Sequence, residues 1–287
     1  MNEKGIVIFA HNNKQVDYGI LATVAAGLAK KNLKVPVTLI TDKTTIEWMQ
    51  ESGTYLKAIP IFHKIILVEN EEFNNHRLLF DGTDSQIVPF KNLNRNSVWN
   101  LTPYETTLLI DSDFLIFSDY LDKFWDLDFD VMISSAMQDI KGTRAGILDK
   151  RISETGVRML WATTVMFKKN HRSKLFFDLV DYIKDNYKHY ADLFRFNPKQ
   201  YRNDISFSIA KHILDGFEEN LVGSLPSVLT TIDKDILHSV LPDGSLLFLL
   251  NNEQSNQYSA ISILNTDVHV MNKQSVVRVS SQLLELI

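Results

Sequence analysis

The chain has 287 residues, 45% of them apolar, with 30 Lys and Arg against 35 Asp and Glu and no cysteine. The length allows one large domain or two small ones with a self-sufficient core, and the absence of cysteine excludes a disulfide framework, thiolate catalysis, zinc ribbons and iron–sulfur sites. Any metal must be held by Asp, Glu, His or backbone oxygen, which points to Mg²⁺ or Mn²⁺ before zinc, while a net charge of −5 argues against a protein that grips nucleic acid through its phosphates.

Residues 5–10 (GIVIFA) are a short apolar run ending in His11-Asn12-Asn13, which reads as a buried parallel strand and its loop. Val16, Ile20, Val24 and Leu28 then recur every four residues, so a helix follows, with Asp17 as its N-cap. Residues 36–40 form a second strand, 46–49 a short helix and 63–68 (HKIILV) a third strand. Strand, helix, strand, helix, strand is the signature of a doubly wound α/β sheet. Residues 69–90 are polar with weak periodicity and read as a long loop. A helix over 91–100 places Lys91 and Arg95 on one basic face.

Residues 106–110 (TTLLI) are the most strand-like segment, followed by Asp111-Ser112-Asp113, a strand over 114–117 and an amphipathic turn with Leu121, Phe124 and Trp125. Further strands are expected over 131–135 and 159–167, with a mobile loop over 138–153 between them. One long helix over 173–190 and another over 204–214 come next. The tail carries short strands over 246–250, 260–264 and 268–271 and a last helix after Lys273. No internal repeat or linker interrupts this order, so 1–287 reads as one domain, with halves 1–135 and 136–287.

Asp111 and Asp113 stand one residue apart at the end of a buried strand, where an open α/β sheet places its ligand crevice. Two such carboxylates repel and are costly to desolvate unless cations are present, and a hard divalent ion bridged to a diphosphate resolves that cost. A solvated turn is the plain alternative. His269 and Lys273 bracket a later strand end, Asn203-Asp204 opens a helix where Asp204 serves as N-cap, and Lys91 with Arg95 precedes the acidic strand. Each of these alone has an ordinary structural explanation.

Together this order of parts resembles the nucleotide-sugar glycosyltransferases of the GT-A fold, in particular the glycogenin-like family 8 type. Residues 108–125 (LLIDSDFLIFSDYLDKFW) look like that family's metal strand with its next strand and short helix, and 161–167 (WATTVMF) like its acceptor strand. The overall wording also resembles uncharacterised proteins of tailed phages. The resemblance implies an open, mostly parallel sheet flanked by helices, with a small C-terminal strand and helix elaboration. It implies Mn²⁺ or Mg²⁺ on Asp111, Asp113 and His269, with Lys273 on the diphosphate. Asn12, Asp17 and Tyr18 would lie near the base and ribose, Lys91, Arg95 and Ser112 near the diphosphate or sugar, and Asn203 and Asp204 against the transferred sugar. The implied reaction moves a sugar, hexosyl or pentosyl, from a nucleoside diphosphate sugar, with UDP as the expected nucleotide. The acceptor hydroxyl belongs to a glycan, a protein, a small molecule or a modified DNA base.

Competing readings are a haloacid-dehalogenase-like phosphatase with Asp111 as nucleophile, a nucleotidyltransferase, and a non-catalytic binding protein on the same fold. No apolar run approaches the roughly 20 residues of a membrane span, and the first residues lack a signal-peptide pattern. A soluble protein of the cytoplasm, the host's if phage-encoded, is the expectation.

Overall fold

The computed structural model describes residues 2–13, 15–69, 75–82, 84–144, 151–153, 156–197, 200–217, 223–252, 255 and 257–287. Strand β1 (Asn2–Ala10) leads to helix α1 (Tyr18–Leu33), strand β2 (Val37–Thr41), helices α2 (Lys43–Glu51) and α3 (Thr54–Ala58), and strand β3 (Lys64–Leu67). A hairpin of β4 (His76–Asp81) and β5 (Asp84–Pro89) comes next, then a 3₁₀ turn (Arg95–Ser97) and helix α4 (Val98–Leu101). Strands β6 (Tyr104–Ile110), β7 (Phe114–Leu115), β8 (Val131–Ser134), β9 (Met137–Asp139) and β10 (Trp161–Lys168) precede helices α5 (His171–Asp185), α6 (Tyr187–Phe194) and α7 (Asn203–Leu214). The chain closes through β11 (Val228–Thr230), β12 (Ile236–Val240), β13 (Leu246–Asn252), β14 (Gln257–Ile263), β15 (Val268–His269), α8 (Lys273–Arg278) and α9 (Ser280–Glu285).

The expected α/β architecture is present. The main sheet runs β3-β2-β1-β6-β10-β8, with β3, β2, β1 and β6 mutually parallel and β10 antiparallel to both its neighbours. The central strands are buried on both faces, which is why they read as continuous apolar runs rather than alternating ones. Chain order reverses between β1 and β6, so their carboxyl ends flank a topological switch point. Gly5 is required in β1 because the Tyr104 ring packs where its Cβ would stand, while the Tyr104 hydroxyl bonds Thr38 Oγ1 at 2.8 Å.

A second sheet, β7-β15-β11-β9, grows directly out of the end of β6. In it Phe114 faces His269 antiparallel and Thr230 faces His269 in parallel. The tail strands β12-β13-β14 form a third, antiparallel sheet, the C-terminal elaboration. No helix among the described residues is long and apolar enough to cross a membrane.

Several local expectations need correction. The stretch over 69–90 is not a loop throughout: residues 76–81 and 84–89 pair as β4 and β5, with Gly82 at φ 62° after β4, and the Asp81-Gly82 pair is a hairpin signal. Residues 91–94 are not helical, since the helical turn starts only at Arg95. The strand after Asp113 is two residues long rather than four and belongs to the second sheet. The single helix over 173–190 is broken at Asn186, whose backbone turns to φ −108° and ψ 30° while its N–H and its side-chain amide both donate to Tyr182 O. Within 138–153, Gln138 and Asp139 belong to β9, and Arg144 is locked in a buried pair with Asp139 and Asp235. Residues 145–150 of that expected mobile loop lie outside the described residues.

Candidate functional site

The second sheet explains how residues 111, 113 and 269 meet. Pairing of β7 with β15 sets His269 opposite Phe114, next door to Asp113, and Val270 N donates to Asp113 O at 2.9 Å. His269 is fixed from its other side too, as its carbonyl accepts from Thr231 N at 3.0 Å. Asp111 is anchored across the main sheet, its N–H donating to Thr163 O at 3.0 Å.

His269 Nε2 lies 3.3 Å from Asp113 Oδ1 and 3.9 Å from Asp111 Oδ2. The other oxygen of each carboxylate is held by a base: Asp111 Oδ1 by Arg95 Nη1 at 2.9 Å, Asp113 Oδ2 by Lys273 Nζ. Each carboxylate therefore keeps one oxygen turned toward the imidazole and one tied down. The three free ligand atoms all lie within 4.8 Å of one another. Two carboxylates and an imidazole are a donor set that could hold a divalent cation.

Burial pushes the Asp111 carboxyl above the usual carboxylate range, opposed by Arg95 and reinforced by Asp113. Burial pushes Asp113 up as well, but Lys273 and His269 outweigh it and hold this carboxyl well below that range. Asp113 thus stays a carboxylate, ready to bind a cation.

The cluster opens into a cavity of about 370 Å³ outside the ends of β1 and β6. Tyr18, Lys91, Arg95, Ser112, Asn203, Asp204 and Lys273 all line it together with the three ligand residues. Arg95 is buried, and its Nε and Nη2 have no hydrogen-bond partner among the described residues. Arg95 lines the cavity, so its guanidinium places a positive charge beside it, a setting that suits an anion. Asn203 bonds Asn92 O through Nδ2 at 2.9 Å and leaves Oδ1 without a partner there.

Asp204 is not the N-cap of α7. It sits in the first turn, where Oδ1 accepts from Ala162 N and Oδ2 from Arg202 Nη2, both at 3.0 Å.

Asn12 and Asp17 are not among the cavity-lining residues. Asn12 Oδ1 accepts from Tyr18 N at 2.7 Å and Gly19 N at 3.2 Å, and Asp17 Oδ1 from Ile20 N at 3.0 Å. The exposed N–H groups at the start of α1 are thus closed by the chain's own side chains.

Sequence reasoning missed Arg77 and Asp233, which also line the cavity. Arg77 lies between the rings of Tyr18 and Phe90, 5.8 and 5.3 Å from their centroids. Asp233 is pushed up by burial against the pull of Lys273 and Arg77. The segment Thr231-Ile232-Asp233-Lys234-Asp235 repeats the Asp-x-Asp spacing at the end of β11, a signal that was present in the sequence.

No protein-family model matches the chain, and no curated protein does. Among solved structures it is similar to the glycosyltransferase GlyE of Streptococcus pneumoniae, with 12% identity, 79% of this chain and 45% of that one covered, and a TM-score of 0.39. It is similar to the galactosyltransferase LgtC, solved with donor and acceptor sugar analogs, at 14% identity, 84% and 76% coverage and a TM-score of 0.45. Mouse xyloside xylosyltransferase 1 gives 10% identity, 79% and 86% coverage and a TM-score of 0.44. The chain spans about half the length of the pneumococcal protein. With each TM-score under 0.5, none of these structures assigns a role to a residue of this chain.

Proposed function

We propose that the protein is a metal-dependent glycosyltransferase that moves a sugar from a nucleoside diphosphate sugar, UDP-linked by preference, to an acceptor hydroxyl. The observation that carries this reading is the convergence of Asp111, Asp113 and His269 with two basic side chains, Arg95 and Lys273, on one cavity at the switch point. A bound Mn²⁺ or Mg²⁺ would supply Lewis-acid stabilisation of the departing diphosphate.

The chain's own groups supply the rest. Lys273 and Arg95 offer positive charge where negative charge develops on the leaving group. Tyr18 and Arg77, at the hairpin side of the cavity, present a ring and a guanidinium to the nucleoside. Asn203 and Asp204 face the sugar. Both Asp204 oxygens already accept hydrogen bonds, which suits a fixed acceptor for sugar hydroxyls better than a base that must take up a proton. Trp161 and Thr163, alternate residues of β10, give the acceptor a wall.

The phosphatase reading asks Asp113 to donate a proton, and its depressed carboxyl disfavours that at neutral pH. Thermal-shift titration separates the readings. UDP should stabilise the protein with Mn²⁺ present, more weakly with EDTA, and not in Asp113→Asn. If UDP, GDP and their sugars all fail with Mn²⁺ present, the glycosyltransferase reading falls, and an aspartyl-phosphate on Asp111 would install the phosphatase.

A further inference from the structure

A second cavity, of about 690 Å³, lies at the other end of α7. Asn203 at the start of this helix lines the first cavity and His212 near its end lines the second. They stand nine positions apart on the helix, about 13.5 Å along the axis. Arg158 in the second cavity precedes Trp161 in the first by three residues.

Arg151, Arg158 and Arg195 all line this second cavity, and no carboxylate among the described residues does. In a chain of net charge −5 with nine arginines, three guanidiniums around one hollow are a concentrated positive site. Neither Arg158 nor Arg195 has a carboxylate partner among the described residues. Guanidinium forks match phosphate oxygens in geometry as well as charge.

Phe217 supplies the second half of the site. It follows α7 in a left-handed backbone conformation, φ 62°, held by its N–H donating to His212 O at 2.7 Å. Its ring stacks on His212, with centroids 6.5 Å apart and planes 11° from parallel, yet the residue is 48% exposed. Leu193, 62% exposed, adds apolar surface beside it. The Phe217 ring, flanked by His212 and Phe194 yet about half exposed, stands beside Arg158 and Arg195 and suits a ring that carries an anion. The volume accommodates one compact ligand rather than a polymer strand.

We infer that this cavity binds a phosphate ester carried on a ring, with Arg158 and Arg195 on the phosphate and Phe217 under the ring. Its assignment as the far end of the acceptor site rests on the glycosyltransferase reading. An acceptor whose hydroxyl enters beside Trp161 and Asp204 would carry its phosphate along α7 to reach it.

The test is calorimetry in EDTA with glucose 6-phosphate, glucose and uridine monophosphate as probes. Glucose 6-phosphate binds and glucose does not; the phosphate ester whose binding depends more on Arg158 and Arg195 identifies whether a sugar phosphate or a nucleotide is the natural occupant. Arg158→Gln combined with Arg195→Gln weakens the phosphate esters by roughly tenfold or more, with UDP and Mn²⁺ affinity unchanged. Arg195→Gln alone, at an exposed position, weakens them to a smaller extent and guards against a folding defect in the double variant. Unchanged glucose 6-phosphate affinity in both variants, or no binding of either ester at millimolar concentration, overturns the proposal. Loss of UDP binding alone would instead remove the glycosyltransferase reading and leave this cavity assigned.

Discussion

Two neighbouring strands of one sheet, β1 and β6, end in polar residues at the same edge, and Asn12 and Asp17 after the first do opposite work from Asp111 and Asp113 after the second, although His11 also lines the cavity. After β1, Asn12 and Asp17 accept hydrogen bonds from three backbone N–H groups of α1, and they are absent from the cavity lining. After β6, Asp111 and Asp113 point their carboxylates at Arg95, His269 and Lys273 around the cavity. A polar side chain at a strand end is free for chemistry only when the local backbone does not need it. The start of α1 needs it, because exposed helix donors must be satisfied. The end of β6 does not, because β7 pairs immediately with β15.

The largest consequence lies on the β6 side. Asp113→Asn should lower Mn²⁺-dependent consumption of the sugar nucleotide by roughly 100-fold or more, read as UDP release, because the proposed cation ligand and the partner of Lys273 both change. Asp204→Asn comes next, with transfer down by about 10- to 100-fold through misplacement of the sugar while the Kd for UDP stays the same. A matching loss of UDP affinity would put Asp204 on the nucleotide instead.

On the β1 side the effect moves from activity to stability. Asn12→Ala should cost about 1 kcal/mol, a fall of about 2–4 °C in Tm, with UDP affinity unaltered. An Asn12→Ala protein of normal Tm that no longer binds UDP would erase the distinction between the two strand ends.

The smallest effect is a pH dependence in metal-free protein. The folded Asp113 carboxyl is held below its ordinary value of 3.8, so its stabilisation is present above that pH and is lost as pH falls below it. Asp111, shifted the other way, contributes with opposite sign. Denaturation midpoints of Asp113→Asn in EDTA should therefore fall less steeply between about pH 4 and 2 than those of the wild type.

Much of this was legible in the sequence, for specific reasons. Strands buried on both faces, such as residues 5–10 and 106–110, announce themselves as apolar runs, and the Asp-x-Asp pair at the end of the second marks the crevice. The β4–β5 hairpin was hidden because Leu79 and Val88 are the only buried residues of its two strands, so alternation is too weak to show. Arg77 was lost with it. Asp233 was passed over because a short strand of three residues, β11, gave its Asp-x-Asp no apolar run to stand on. The roles of Asn12 and Asp17 turned on which backbone donors lay within reach, which depends on the fold of the loop between β1 and α1 rather than on residue type.

The proposed metal site is tested most directly by a crystal of the protein soaked with Mn²⁺ and UDP and recorded for anomalous scattering from manganese. The account predicts one manganese peak bounded by Asp111, Asp113 and His269, with the diphosphate between it and Lys273. UDP bound in the cavity with no manganese there, or manganese bound elsewhere, would contradict it.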